Sequence, residues 1–370
     1  MQTTQRRKLR PEDARRSNLA LVLQELNDSP LASRADLARA TGLTKVTISD
    51  LVGELLDDGL VVESGTSEVG RPGKPSTLLD LNPSGRDILA MDLSARDRLR
   101  GAVLDLHGTP ILTRVTPLDG ATGEAALTAA RGLAAELAAA ATHPILGLGV
   151  GTPGTVDRHG TVLSAPNLQW ANLPLRELLH GDLDLPVRVE NDANVAVLAE
   201  RRFAGAPDDL VRVHLSRGVG AGLLVGGVLV HGAASDAGEI GHVAIGSDGA
   251  LCGCGKTGCL ETWASVPALR ARLQAAPDSA AVDAALAAAG HRLGLALAPV
   301  VGMLGLQHIV VGGPPEITTA ALLDAARDCI VARTRSEFRP RLELTPSALG
   351  EDAVLLGAAA LVLLNELGVA

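Results

Sequence analysis

Four side chains between Gly241 and Glu261 have the types and spacing to hold a metal ion: His242, Cys252, Cys254 and Cys259. One imidazole and three thiolates complete the tetrahedral set of a structural zinc site and leave no open position for a catalytic water. The glycines between the cysteines allow the tight backbone that a C-x-C-x4-C loop demands. Three of the chain's four cysteines lie here, which fits a metal cluster in a reducing compartment better than a disulfide framework. The expected cofactor is therefore Zn2+, shaping an adjoining site rather than performing chemistry.

A second set of residues has the pattern of a nucleic-acid reader. RADLARATGLTKVTISDLVG, from Arg34 to Gly53, fits a helix-turn-helix position by position. Ala38 lets two helices cross closely, Gly42 makes the turn, and Leu37, Leu43, Ile48 and Leu51 supply the shared core. Ser33 with Asp36 resembles a capping box, and Thr44 stands where it caps the second helix. If Ile48, Leu51, Val52 and Leu55 face inward, then Val46, Ser49 and Asp50 point outward, with Lys45 and Thr47 on the flanks. With Thr44 these are the candidate base and phosphate contacts. A hairpin wing is expected next, from strands at 60–62 and 77–81, with Arg71 and Lys74 on the stiff Gly-Arg-Pro-Gly-Lys-Pro tip presented to a minor groove. One such module makes few contacts, so a homodimer or homotetramer on a two-fold operator is expected.

The 370 residues exceed one ordinary core, and two or more domains follow. With no tyrosine, two phenylalanines and two tryptophans, alanine, leucine and valine must fill those cores. The net charge of −9 is uneven: Arg6, Arg7, Lys8, Arg10, Arg15 and Arg16 oppose only Glu12 and Asp13 at the start. That arm either tracks phosphates or is an ordinary solvated tail. No apolar run reaches the roughly 18 residues of a membrane span and no signal-peptide core is present, so a cytoplasmic protein with no membrane partner is expected. The expected division is a winged helix-turn-helix over 1–82, entered by the basic arm, and an α/β domain over 83–370. Asn82-Pro83-Ser84-Gly85 reads as the linker. Two similar lobes are expected in the second domain, about 83–203 with the C-terminal helix, and about 204–350, with a cleft between them.

Four further signatures complete the pattern: Gly149-Val150-Gly151-Thr152-Pro153-Gly154 after a strand, Glu190-Asn191-Asp192-Ala193-Asn194 opening a helix, Gly238-Glu239-Ile240-Gly241-His242, and the cysteine run ending at Glu261. In this order they closely resemble the ROK family (repressor, open reading frame, kinase). The winged head narrows the resemblance to its repressor branch, related to the xylose- and N-acetylglucosamine-type repressors. The resemblance implies a two-lobed, actin-like ATPase fold of the sugar-kinase kind. It also implies that Asn167, Asn191, Asp192, Glu239, His242 and Glu261 bind a sugar, with Asp192 matching the base that deprotonates the sugar hydroxyl in the family's kinases. Read from the residues alone, Asn191 and Asp192 equally suit capping of the helix that follows.

One departure bears on activity. Family kinases carry an Asp-x-Gly-Gly-Thr-type turn where the backbone approaches the ATP phosphates, whereas this chain reads Met91-Asp92-Leu93-Ser94-Ala95-Arg96-Asp97-Arg98. Without glycines, bulky and acidic side chains are expected to block or repel phosphates, and phosphoryl transfer, which depends on positioning, should fail. The function expected is a sugar- or sugar-phosphate-responsive repressor of carbohydrate genes with no enzymatic activity, Asp192 being a vestigial base. The alternative is an ATP-dependent sugar kinase with an appended DNA-binding domain.

Overall fold

The structure, a computed structural model, describes residues 11–66, 76–247, 249–334 and 342–369, with side chains from residue 14 onward. The chain opens with α1 (Pro11–Asp28), β1 (Ala32–Ser33), α2 (Arg34–Thr41) and α3 (Lys45–Asp57), then β2 (Val61–Thr66) and β3 (Thr77–Leu81). Gly42 ends α2 at φ 71°, a left-handed turn that favours glycine. Ser33 and Asp36 form a reciprocal capping box, and the Thr44 side chain accepts from the Thr47 amide. Ile48, Leu51, Val52 and Leu55 are buried as the helical period requires. β3 lies between β1 and β2, all antiparallel. The wing tip with Arg71 and Lys74, and the first ten residues of the arm, lie outside the described residues.

The α/β region begins with β4 (Asp87–Asp92), β5 (Arg98–Leu104), β6 (Pro110–Pro117), α4 (Gly123–Ala140) and β7 (Ile145–Thr152). A small three-stranded sheet of β8 (Thr155–Val156), β9 (Val162–Ala165) and β10 (Trp170–Leu173) follows, then α5 (Leu175–Leu183), β11 (Val187–Asn191) and α6 (Asp192–Ala204). The second half holds β12 (Leu210–Leu215), β13 (Val219–Val225), β14 (Val228–Leu229), α7 (Glu261–Ala264), α8 (Val266–Ala275) and α9 (Ser279–Leu304). It closes with β15 (His308–Gly312), α10 (Ala320–Arg333), β16 (Glu343–Pro346) and α11 (Ala353–Val362), which runs into a π turn at Leu363–Leu367.

Two five-stranded sheets result, ordered β11-β7-β4-β5-β6 and β14-β13-β12-β15-β16. Each is an antiparallel meander extended by two parallel strands beside its first strand, so one topology occurs twice. In such sheets ligands bind beyond the carboxyl ends of the strands, and Asp92, Asn191, His214 and Gly312 all stand at those ends. Small residues replace aromatics in the packing: Ala126, Ala130 and Ala134 of α4 are buried with Leu127, Leu133 and Leu137.

Four observations differ from the sequence reading. Residues 82–85 are no loose tether: the Asn82 side chain donates to the Gly59 carbonyl at 2.8 Å, and a Cβ at Gly85 would fall 2.1 Å from that same oxygen. Head residues such as Val22, Leu37 and Leu55 share one continuous core with Ile88, Leu104, Leu355 and Val362. Arg15 and Arg16 of the basic arm are engaged internally, donating to Glu54 at 2.9 Å and to the Asn365 carbonyl at 3.0 Å. Finally, α9 is long and apolar enough to cross a membrane by length and composition, yet half of that stretch is buried. Leu286, Leu293, Leu297 and Val301 turn inward at helical spacing, which makes it a core helix.

Candidate functional site

His242 ends a one-turn 3-10 helix, Ile240–His242, and the cysteines follow in the loop leading to α7. The four candidate ligand atoms lie within 4.8 Å of one another. Cys252 Sγ is 3.5 Å from His242 Nδ1, and Cys254 and Cys259 sulfurs are 3.6 Å apart. Metal–ligand bonds of about 2.3 Å to sulfur and about 2.0 Å to nitrogen give tetrahedral edges of about 3.8 Å between sulfurs and about 3.5 Å from sulfur to nitrogen. The donor set therefore fits a zinc ion in chemistry and in span. Burial and the two neighbouring sulfurs push the Cys259 thiol up to about 12, while the Lys256 amide helps bring Cys254 down to about 7.

Glu261 ties this cluster to the cleft. One carboxylate oxygen lies 3.8 Å from Cys252 Sγ and the other accepts from the Val219 amide at 3.4 Å. The cleft itself, of about 1140 Å³, is walled by the ends of both sheets, and every expected sugar ligand lines it: Asn167, Asn191, Asp192, Glu239, His242 and Glu261. Asn191 has scaffold duties as well. Its oxygen accepts from the Ala193 and Asn194 amides at 2.9 and 3.1 Å, and its nitrogen donates to the Gly154 carbonyl at 2.8 Å. The helix-capping reading is thus realised at a residue that also faces the cleft.

Asp192 sits where burial, then the Asp92 and Glu239 carboxylates, push its carboxyl up to about 7 against the Ala193 amide and Arg212. Burial likewise raises Glu239. A carboxyl near neutrality both donates to and accepts from vicinal hydroxyls. Because its folded value exceeds its unfolded one, the folded chain holds this proton more tightly. Stability is full below the unfolded value and is lost as pH rises through the folded one. Asp192→Asn should therefore gain stability over the parent as pH rises from 4 to 8. The upper limit is about 4 kcal/mol at pH 8, reduced because the carboxyl keeps an edge toward solvent. Urea melts at pH 5 and 8 check this, and an equal difference at both would contradict it.

Several site residues carry no sequence signature. Arg212, 1% exposed, pairs with Glu200, 2% exposed, at 2.9 Å. Its other arm lies 3.1 Å from His214 Nδ1, and a Cβ on Gly312 would fall 2.2 Å from its guanidinium. Burial and Arg212 bring His214 down to about 3, so a neutral imidazole lines the cleft beside Asp192. His231 Nε2 donates to Glu190 at 2.7 Å, and Glu190 also accepts from the Asn191 amide and the Asn194 side chain.

At the turn after β4, Asp92 accepts from the Ser94 amide and hydroxyl at 2.9 and 2.6 Å, and Leu93 is buried. Arg96, Arg98, Arg100 and Arg217 line the cleft along with the acids, and Arg98 pairs with Asp97 and Glu351. The turn thus brings cations as well as acids to the cleft, and residues 91–98 contain no glycine.

The ROK family model matches residues 95–364. A xylose repressor of Caldicellulosiruptor bescii is 30% identical over 385 residues, covering 95% of this chain and 96% of its own length. The crystal structure of a ROK family transcriptional regulator, a homologue of the E. coli MLC protein, is similar with TM-score 0.81 at 27% identity, over 94% of this chain and 96% of that one. A ROK family glucokinase from Streptomyces griseus, crystallised with glucose and AMPPNP, gives TM-score 0.64 at 28% identity, over 74% of this chain and 98% of its own.

Proposed function

The chain belongs to the ROK family, and from that premise we propose that it is a sugar-responsive transcriptional repressor whose kinase-like cleft binds the effector without phosphorylating it. The observation that carries this is one chain joining a helix-turn-helix with a free outer face to a cleft whose phosphate turn, Leu93–Asp97, is filled with side chains. The near full-length similarity to a xylose repressor supports it and makes xylose the first effector to test.

In this reading α3 enters the major groove. Lys45, Val46, Ser49 and Asp50 are exposed and Thr47 half-exposed, while Val46, 72% exposed, is an apolar side chain that packing does not explain. A thymine methyl would cover it. Lys45 and the capping Thr44 approach phosphates, and Arg71 and Lys74 serve the wing. The sugar is held by Asn167, Asp192, Glu239, His242 and Glu261, with Asn191 setting the helix end. Zinc on His242, Cys252, Cys254 and Cys259 fixes the loop that presents His242 and Glu261; when bound it supplies charge neutralisation for the thiolates and no catalytic position. The protein acts in the cytoplasm as an even-numbered homo-oligomer on two-fold operator DNA.

Selection of binding sites from a random DNA pool should return one palindromic sequence. Lys45→Ala should weaken binding to it and lower the slope of log affinity against log salt by about 1. Binding without any sequence preference would refute the proposal. One observation favours the kinase alternative: Asp192 keeps the position, and a proton affinity near neutrality, of a general base. Sugar-dependent ATP turnover that Asp192→Asn abolishes would establish that reading instead.

A further inference from the structure

Two helices run from the cleft to the head. α6 begins at Asp192 on the cleft wall, and its 13 residues span about 20 Å at a rise of about 1.5 Å each. Its last turn carries Phe203, which packs on the core containing Val22, Leu23 and Leu26 of α1, and a Cβ on Gly108 would fall 2.5 Å from that ring. α11 starts with Ala353 and Val354, also on the cleft wall, and ends in the π turn at Leu363–Leu367. That turn grips α1: Arg16 donates to the Asn365 carbonyl, and a Cβ on Gly368 would stand 2.6 Å from that of Ala20. At Gly357 the two helices touch with almost nothing between them, since a Cβ there would fall 2.0 Å from the Val195 carbonyl oxygen. Contacts this close leave no side chain to repack, so the pair moves as one body.

Arg202, beside Phe203, is the polar member of this junction. Its guanidinium lies 5.0 Å from the Phe203 ring centre and donates to the Leu106 carbonyl at 3.3 Å. Its Nε is buried and has no partner among the described residues. Burial brings it down to about 10, and the charge that opposes this is Asp28, the last residue of α1. A cation this poorly satisfied is costly where an apolar side chain would serve packing alone. It ties the last turn of α6 to the Leu106 carbonyl, at the core that the head shares.

We propose that α6 and α11 form a rigid relay that carries the state of the cleft to the head, with Arg202 on the shared core and the Leu363–Leu367 turn on α1 as the positioning contacts. The relay rests on the ligand-switched repressor reading above. It requires that breaking these contacts uncouple the two sites while leaving each of them intact.

The test is an anisotropy titration of the full chain on its selected operator, with and without saturating xylose, together with xylose affinity by calorimetry. The wild type should show a sugar-induced change in operator affinity in the usual range of about 5- to 150-fold. In Arg202→Met and in Arg16→Met, which removes the donor to the Asn365 carbonyl, both separate affinities should stay within about threefold of wild type, while the sugar-induced ratio falls toward one. A loss of packing alone would instead lower the separate affinities or the stability and keep the ratio. If Arg202→Met does not fold, the exposed Arg16→Met decides alone. A full ratio in the variants, beside a responsive wild type, overturns the relay and leaves the repressor reading standing. A wild type that reads no DNA sequence overturns both.

Discussion

Cys259→Ser should yield a protein without bound metal and with weakened sugar binding. Cys259 is fully buried in the cluster, and its sulfur stands 3.6 Å from both Cys254 Sγ and the His242 carbonyl oxygen. A serine hydroxyl does not ionise to replace a thiolate, so three donors remain around a divalent ion that needs four. Glu261 would then lose the loop that carries Cys252, and His242 its anchor. Disturbing groups that orient a metal site costs about 10- to 100-fold in affinity or activity, and removing a direct ligand should cost at least as much. The expected result is zinc content falling from about one ion per chain to a small fraction of that, with sugar affinity lower by about tenfold or more. Emission spectroscopy for metal and calorimetry for sugar check it. Unchanged values in both would mean that the cluster neither holds zinc nor shapes the cleft.

Glu200→Ala should destabilise the fold by about 3–5 kcal/mol, because removing one partner strands a buried charge. Glu200 accepts from Arg212 and from Ser347, which follows β16, so α6, β12 and the second sheet's last strand meet on one carboxylate. The glycine at 312 is part of the same arrangement, since any side chain there would displace the guanidinium. Glu200→Leu combined with Arg212→Met should recover most of the loss, as apolar replacement of a buried pair commonly does. Urea denaturation compares the three proteins. A loss below about 1 kcal/mol in Glu200→Ala would show that water reaches the guanidinium and solvates it.

How much of this was legible in the sequence follows from the range of the interactions. The helix-turn-helix is local: Ser33, Gly42 and Thr44 act on residues within three or four positions, and a 3.6-residue period sorts its core from its face. The metal cluster was legible because most of its ligands fall within eight residues and only sulfur and imidazole suit such spacing. The sugar ligands were reached through motifs whose order resembles a family, not through any local rule. The Arg212–Glu200–Ser347 network joins residues 12 and 147 positions apart, and nothing in strand periodicity separates Arg212 from an ordinary edge cation. The same holds for His231 on Glu190 across 41 positions. Residues 82–85 have the composition of a linker because turn chemistry is the same whether a turn hangs free or is tied to Gly59. The charge at Arg96 and Arg98 was visible, but which side chains share the cleft with them was not.

The central claim is that occupancy of the cleft alters how the head holds DNA. The measurement that tests it most directly is the dissociation constant for the selected operator at fixed salt, taken with and without saturating xylose and with ATP as a control. The complex should be weaker by about 5-fold or more with the sugar, with no consumption of ATP, and no response when Glu239→Gln and Glu261→Gln remove the carboxylates from the sugar site. Operator affinity that no sugar alters, in a chain that turns over ATP when sugar is added, would contradict it.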